Sequence, residues 1–140
     1  MFFFLITLAS ATTIGFGSCL HQDRRSRALE RAALFPLDLF IFLGDNGYHD
    51  TPGCGAPWQT CTVSEWIRTM RSFMTSDKRR DDYDALWTNH VEPLRRALPK
   101  TPFVATWDDH DLGRDDAGSD YEFKNSSLTS FLDFWRRPIL

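Results

Sequence analysis

Three short groups of reactive side chains each follow a predicted β-strand. Cys19 ends the sequence FGSC, Asp45 and Tyr48 lie in GDNGY, and Asp109 and His110 lie in WDDHD. Because the carboxyl ends of parallel strands meet at one edge of a sheet, we expect these side chains to lie close together. A thiolate, carboxylates, a phenolate and an imidazole suit a redox-capable or Lewis-acidic ion beside a harder one. Such a pair of ions could bind a phosphate ester and activate water, so the pattern favours a metal-assisted hydrolase.

Each group also has an interpretation without chemistry. Cys19 could be a small buried apolar residue, and Asp45 with Asn46 is typical of a polar turn. The third group belongs to an acidic run, residues 108–120, in which six aspartates repel one another unless a cation or a turn network neutralises them. A solvated acidic turn does not explain why His110 lies inside the run at a strand end. We therefore expect a site here.

The acidic run also narrows the kind of site. An EF-hand calcium loop is excluded because a loop that begins at Asp109 or at Asp111 lacks the glycine required at position six. Arg114 lies in the same run and could contact a substrate phosphate through its planar guanidinium. The alternative is an ion pair with a neighbouring aspartate, either Asp115, Asp116 or Asp120.

The composition excludes several classes of protein. The 140 residues are 42% hydrophobic and 25% charged, which is typical of one soluble globular domain and excludes a disordered or collagen-like chain. The net charge of −3 argues against a protein that binds nucleic acid by neutralising its phosphates. We expect a phosphoester substrate as the partner and no specific nucleic-acid binding. The sequence does not predict the oligomeric state.

The first residues allow two interpretations. Residues 2–8 form an apolar run far shorter than the roughly 20 residues that span a bilayer, so no membrane span is predicted. With Ala9-Ser10-Ala11 as a cleavage site, residues 1–11 could be a signal peptide, although no basic residue precedes the run. The alternative is a first strand. A signal peptide would imply a secreted or periplasmic protein, and its absence a cytoplasmic one.

The cysteines also bear on the compartment in which the protein is found. Cys54 and Cys61 lie seven residues apart in the loop sequence GCGAPWQTC, where they could form a disulfide in an oxidising compartment. That pairing would leave Cys19 as the free thiol, which is either buried and inert or available to bind a ligand.

The elements that must position these groups alternate between strands and helices, which predicts an α/β fold with a mostly parallel sheet. Strands are predicted at residues 12–18, 37–43 and 103–106. Since the 37–43 run is dense in large apolar residues, we expect a central strand buried on both faces. A long loop is predicted at residues 44–61, because this stretch is rich in glycine and has no periodicity.

Helical periodicity predicts four helices. The first covers residues 23–33 with Asp23 as its cap, and a capping box at Thr62 and Glu65 begins the second. The third covers residues 81–97, where Pro93 should kink or split it. The fourth is an amphipathic helix whose apolar side consists of Leu128, Phe131, Leu132 and Trp135.

The motifs taken together resemble one family. FGSC after a strand, FIFLGDNGYHD, and VATWDDHDLGRDDAGSDYEFKNSS followed by FLDFW occur in this order. From about Ile14 to Trp135 the chain resembles the alkaline phosphatase D (PhoD-like) family of calcineurin-like metallophosphoesterases. The resemblance implies an α/β/β/α sandwich, of which residues 12–140 would form the N-terminal part. It also implies phosphomonoesterase or phosphodiesterase activity and a metal centre of iron with calcium.

The resemblance assigns roles to individual residues. Cys19 corresponds to a thiolate ligand, Asp45 to a metal-bridging aspartate and Tyr48 to a tyrosinate ligand. Asp109 takes the place of an Asn or Asp ligand, and His110 matches a histidine that contacts the scissile phosphate. Asp109 and His110 are thus the catalytic candidates. Asp111 follows them at a position where many members carry Glu.

The chain departs from the family pattern in two places. Many members carry a larger residue at the position of Gly47, which makes the placement of Tyr48 less firm. The chain also stops at Leu140, soon after FLDFW, whereas the resemblance implies further strands and His/Asp ligands. We therefore expect an incomplete catalytic domain that is inactive by itself. The alternatives are a non-catalytic remnant, or a secreted binding domain that calcium stabilises through residues 108–120.

Overall fold

A computed structural model describes residues 12–49, 77–113 and 115–137. Three strands form one parallel sheet in the order β1-β2-β3. Their bounds are β1 Ile14–Gly17, β2 Leu39–Leu43 and β3 Phe103–Thr106. In the register, Phe16 pairs with Ile41, and Ile41 pairs with Val104. The predicted α/β fold is therefore confirmed, and it corresponds to half of an α/β sandwich.

The two faces of the sheet differ in burial. Phe40 and Phe42 on the central strand are both 2% exposed and pack against the helices. Side chains on the opposite face are far more open, since Phe16 is 70% exposed, Val104 49% and Leu43 46%. The prediction that the central strand is buried on both faces is therefore wrong, because the described helices pack against one face alone.

The helices connect the strands and follow the last one. Their bounds are α1 Arg27–Ala32, α2 Asp77–Leu86, a π-helical segment Trp87–Val91, α3 Glu92–Ala97, α4 Asp109–Leu112 and α5 Lys124–Trp135. Ser26 caps α1, because its side chain accepts a hydrogen bond from the backbone N–H of Leu29. The predicted cap at Asp23 is wrong. The short helix α4 was not predicted, since four residues are too few to show helical periodicity.

The π-helical segment has a local cause. Pro93 has no backbone N–H, so the α-helical bond to the carbonyl four residues earlier cannot form. The preceding N–H, that of Glu92, bonds to the carbonyl of Trp87, five residues back. The chain therefore continues through the proline from α2 to α3 with one widened turn, the kind of irregularity that often occurs at functional sites.

The core lies between the sheet and the helices. Its buried side chains are Leu20, Phe40, Phe42, Tyr83, Leu86, Val91, Leu94, Leu98 and Phe134. On α5, Phe134 is 1% exposed whereas Leu132 is 37% exposed, so the apolar stripe predicted for this helix is rotated towards Phe134. No helix within the described ranges is long and apolar enough to cross a membrane.

Several predictions lie outside the described residues. They are the signal peptide or first strand in residues 1–11, most of the 44–61 loop, the Cys54–Cys61 disulfide, the helix that begins with Thr62 and Glu65, and the side chain of Arg114.

Candidate metal centre

The loops after β1 and β2 run side by side beyond the carboxyl edge of the sheet. The backbone N–H of Cys19 donates to the carbonyl of Gly44 at 3.3 Å, and that of Leu20 donates to the carbonyl of Asp45 at 2.7 Å. These bonds extend the contact between the two strands into their loops. The side chains of Cys19 and Asp45 are thereby placed next to each other.

Gly44 lets the third loop approach. An added Cβ at Gly44 would lie 2.7 Å from the Cβ of Asp108, and the glycine has a φ of +101°. A side chain would therefore meet the β3 loop and would also require a backbone conformation that L residues rarely adopt. The glycine before Asp45 is what allows the β2 and β3 loops to touch.

Two of the candidate ligands have strained backbones. Cys19 has a φ of 59° and Asp45 a φ of 50°, both in the left-handed region that non-glycine residues seldom occupy. Strain of this kind costs of order 1–3 kcal/mol and persists where surrounding structure holds it, which is common at ligand-binding sites. In these backbone conformations the side chains of Cys19 and Asp45 approach each other, with the sulfur 3.7 Å from the carboxylate.

Asp45 is the centre of the cluster. Its Oδ2 accepts a hydrogen bond from the hydroxyl of Tyr48 at 3.1 Å and lies 3.7 Å from the sulfur of Cys19. Potential ligand atoms of Asp45, Asp109 and His110 all lie within 4.8 Å of one another. The five predicted side chains therefore come together from three separate strand ends.

The electrostatics of the cluster favour a cation. Oδ1 of Asp45 is buried and has no hydrogen-bond partner among the described residues. Burial raises the pKa of the Asp45 carboxyl. The charge of His110 and the hydrogen bond from Tyr48 oppose this rise, and the carboxylates of Asp109 and Asp108 add to it. Burial also raises the pKa of the Tyr48 phenol, as does the charge of Asp45. A bound metal ion would offset these repulsions and would give the unpartnered oxygen a ligand, so the donor set fits a metal centre.

His110 and Asp109 are held by contacts on both sides. The ring of His110 lies 4.3 Å from that of Tyr48, centroid to centroid, and its Nε2 is 3.5 Å from a carboxylate oxygen of Asp115. Oδ2 of Asp109 accepts the backbone N–H of Asp116 at 2.5 Å. The acidic run thus folds back on its own first residues instead of extending into solvent.

The helix that carries Asp109 and His110 is fixed at both ends. Asp108 caps α4 in a capping box with Asp111. At the other end, the carbonyl of Leu112 accepts hydrogen bonds from Nη2 of Arg79 at 3.0 Å and from the hydroxyl of Ser127 at 2.6 Å. A helix of one turn is unstable by itself, so these contacts are what hold the two candidate residues in position.

Asp111 and Asn46 join the β2 and β3 loops behind the cluster. Both side chains are 1% exposed. The carboxylate of Asp111 accepts the backbone N–H of Asn46, the side-chain amide of Asn46 and the backbone N–H of Asp108, at 3.0, 3.2 and 3.0 Å respectively. Burial raises the pKa of Asp111 to about 7, and these N–H donors limit the rise. The amide of Asn46 also donates to the carbonyl of Thr106 at 2.8 Å.

Gln22 positions Tyr48 from the other side. Its side-chain oxygen accepts the backbone N–H of Tyr48 and its Nε2 donates to the carbonyl of Tyr48, both at 3.0 Å. Gln22 is 1% exposed, and its own carbonyl accepts a hydrogen bond from the side chain of Asn89 in the π-helical segment at 3.0 Å. Gln22 therefore satisfies the backbone N–H and carbonyl of Tyr48, as a neighbouring strand would do. These two bonds hold Tyr48 in place although the small residue Gly47 precedes it.

Sequence reasoning missed Gln22, Asn46 and the supporting role of Asp111. Asp111 lies three residues after Asp108, and this spacing could have indicated the capping box. No comparable signal marks Gln22, because an isolated glutamine is compatible with almost any environment. The predicted substrate contact at Arg114 and the predicted disulfide lie outside the described residues.

Comparisons with known proteins bear on the whole arrangement. The sequence model of the PhoD-like phosphatase family matches residues 14–130. No curated protein and no solved structure matches the chain. The matched range begins at β1 and ends within α5, so it contains all five side chains of the cluster.

Proposed function

We propose that this chain, which belongs to the PhoD-like phosphatase family, carries a metal-dependent phosphoester hydrolase site at the carboxyl edge of its sheet. The observation that supports the proposal is the convergence on Asp45, whose carboxylate lies beside Cys19 and Tyr48 and has potential ligand atoms of Asp109 and His110 within 4.8 Å. Residues so distant along the chain have no shared structural task that requires a thiol, a phenol and an imidazole together.

Cys19, Asp45, Tyr48 and Asp109 would hold the metal ions. Asp45 suits a bridging position because one of its oxygens faces Cys19 and Tyr48 while the other has no partner among the described residues. The thiolate and the phenolate suit a redox-capable ion such as iron, and the carboxylates suit a harder one such as calcium. Bound metal would supply positive charge to the phosphoryl oxygens and lower the pKa of water.

His110 would contact the phosphoryl group. Its ring is 15% exposed, lies against Tyr48 and has Asp115 beside its Nε2, so its orientation is fixed while an edge stays open to a ligand. An imidazole N–H in this place would donate to a phosphoryl oxygen as negative charge develops there. Asp115 would orient the ring.

Metal content and phosphate release after matched substitutions test the proposal. The protein is supplied with iron and calcium, and hydrolysis of 4-nitrophenyl phosphate and bis(4-nitrophenyl) phosphate is measured beside metal content. Asp45→Asn should lose bound metal and lower any hydrolysis at least about 100-fold. Asp120→Asn is the control, because Asp120 is an exposed aspartate of the same acidic run outside the cluster.

His110→Ala separates two roles for this residue. If His110 contacts the phosphoryl group, any turnover that the wild type shows should fall about 100-fold or more in the variant, while its metal content stays unchanged. Cys19→Ser separates the hydrolase from a calcium-stabilised binding domain, since only the hydrolase site needs the thiol for metal binding. Unchanged metal content in both Asp45→Asn and Cys19→Ser would contradict the proposal.

A further inference from the structure

A cavity adjoins the candidate metal centre. Its volume is about 350 Å³, and Cys19 and Tyr48 form one of its walls. The remaining lining residues are Leu20, His21, Arg24, Arg25 and Ser26. Among the described residues, the lining thus holds two arginines and no carboxylate, although the centre beside it is strongly acidic. The cavity therefore joins an acidic metal site to a basic wall.

A fixed turn builds this basic wall. The backbone N–H of Arg24 donates to the carbonyl of His21 at 3.1 Å, which closes a turn over residues 21–24. The same carbonyl of His21 accepts a hydrogen bond from Nε2 of the buried His90 at 3.1 Å. Asn89 and Gln22 hold the middle of the turn, as described above. The turn is therefore set in place before any ligand binds.

His21 presents a defined donor. Its Nδ1 accepts the backbone N–H of Asp23 at 3.2 Å, and its ring stacks on Tyr48 with an interplanar angle of 15°. With Nδ1 acting as an acceptor, the ring proton is on Nε2, which can donate.

The two arginines of the basic wall differ in their ion pairing. Arg25 pairs with Glu30, its Nη2 lying 2.8 Å from a carboxylate oxygen. Arg24 has no ion pair within residues 12–49, 77–113 and 115–137, and its side chain is exposed at the cavity. An unpaired guanidinium next to a phosphoester site is able to form two parallel hydrogen bonds to one oxyanion.

We propose that this cavity binds a second anionic group, a carboxylate or a phosphate, of the phosphoester substrate, with Arg24 as the residue that determines this specificity. The inference rests on the proposed function, because the scissile phosphate must lie at Cys19, Asp45 and Tyr48. Arg24 would bind the oxyanion through its guanidinium, and His21 would donate to it from Nε2. Substrates with two anionic groups would be preferred over singly anionic esters of the same size.

Two phosphonates that cannot be hydrolysed test the preference by binding alone. Phenylphosphonate and 3-carboxyphenylphosphonate are titrated by calorimetry into the full chain supplied with iron and calcium. The rigid ring prevents the carboxylate from reaching the metal that binds the phosphonate. The wild type should bind the carboxylated compound about tenfold or more tightly than phenylphosphonate, because a charge-assisted bidentate contact is added.

Substitutions in the same segment show which residue causes the preference for the carboxylated phosphonate. Arg24→Ala should reduce it to within about twofold, and Arg24→Lys should restore part of it, because lysine keeps the charge without the planar fork. Arg27→Ala removes the same charge from an exposed position outside this cavity and should keep the full preference.

The outcomes distinguish this inference from the proposed function. If phenylphosphonate binds but the carboxylate adds nothing, or if Arg24→Ala keeps the preference, the second-anion site is wrong and the hydrolase proposal stands. If neither phosphonate binds the wild type, the proposed function is wrong and the inference is overturned with it.

Discussion

The carboxylate of Asp111 lies 3.0 Å from the backbone nitrogen of Asn46 and 3.2 Å from its side-chain nitrogen. Sixty-five residues separate these two positions in the sequence, and both side chains are buried. Since Asn46 follows Asp45, and Asp111 follows Asp109 and His110, the pair sets the distance between the two halves of the candidate metal centre. The candidate metal centre is therefore held together by buried hydrogen bonds, not by apolar packing.

Replacing Asp111 with asparagine should weaken this support. The new amide would turn an N–H₂ group towards the donors on Asn46 and Asp108, leaving buried groups unsatisfied. Because the N–H groups of Asn46 and Asp108 would lose their acceptor, we expect Asp111→Asn to lower the free energy of unfolding by about 1–3 kcal/mol. Urea denaturation measures the effect. The exposed Asp120→Asn should change stability by less than about 0.5 kcal/mol, and equal losses in the two variants would refute the role of Asp111.

Gly44 and Gly17 offer a matched pair of glycines. Gly44→Ala should lower the free energy of unfolding by about 2–3 kcal/mol, because the new Cβ would meet Asp108 at 2.7 Å with φ at +101°. Nothing lies within 4 Å of an added Cβ at Gly17, so Gly17→Ala should be tolerated. Thermal unfolding of both variants checks this difference, and a tolerated alanine at Gly44 would show that the two loops can separate.

The strands and the cluster were predictable, but the groups that hold the cluster were not. Dense apolar runs predicted β2 and β3, and the edge rule for parallel strands then brought Cys19, Asp45 and Asp109 together. Gln22 and Asn46 were not predictable because side-chain amides that replace backbone partners leave no periodic pattern. The exposed outer face of β2 was missed for a related reason, since an apolar run shows the character of both faces but not what covers them.

Cys19 should lower the stability of the metal-free chain but should be needed for metal binding. Glycine at this position accepts a φ of 59° without strain but makes the unfolded chain more flexible, so Cys19→Gly should gain only about 0.5–1 kcal/mol without metal. If Cys19 is a ligand of the proposed metal centre, the same variant should also lose the stabilisation that added metal would give the wild type and that a chelator would remove. Melting temperatures with and without chelator measure both effects.

Cys19→Ala is the control for backbone strain, since it removes the thiol but keeps a Cβ in the left-handed conformation. It should lose the response to chelator without gaining stability. If Cys19→Gly and Cys19→Ala melt at the same temperature without metal, strain at this position is not significant.

His90 should make stability depend on pH. Its side chain is 5% exposed, and burial lowers the pKa of the imidazole below its ordinary value of 6.5. Hydrogen bonds to the backbone of His21 and Gln22 oppose the shift, as do the charges of Asp23 and Glu30. As pH falls below about 6.5, the unfolded chain therefore takes up a proton before the folded chain does. The free energy of unfolding should fall as pH is lowered from 7 until the folded-state pKa is reached, and this contribution should then level off.

Glutamine at position 90 separates the charge from the hydrogen bond. It keeps an N–H donor for the carbonyl of His21, which His90 contacts at 3.1 Å, but it does not titrate. Urea denaturation at a series of pH values should show a weaker pH dependence for His90→Gln than for the wild type. The pKa of His21 is also lowered, so the double variant with His21→Gln should be flatter still. A slope in His90→Gln as steep as in the wild type would mean that His90 is protonated equally in the folded and unfolded chains, and would overturn this prediction.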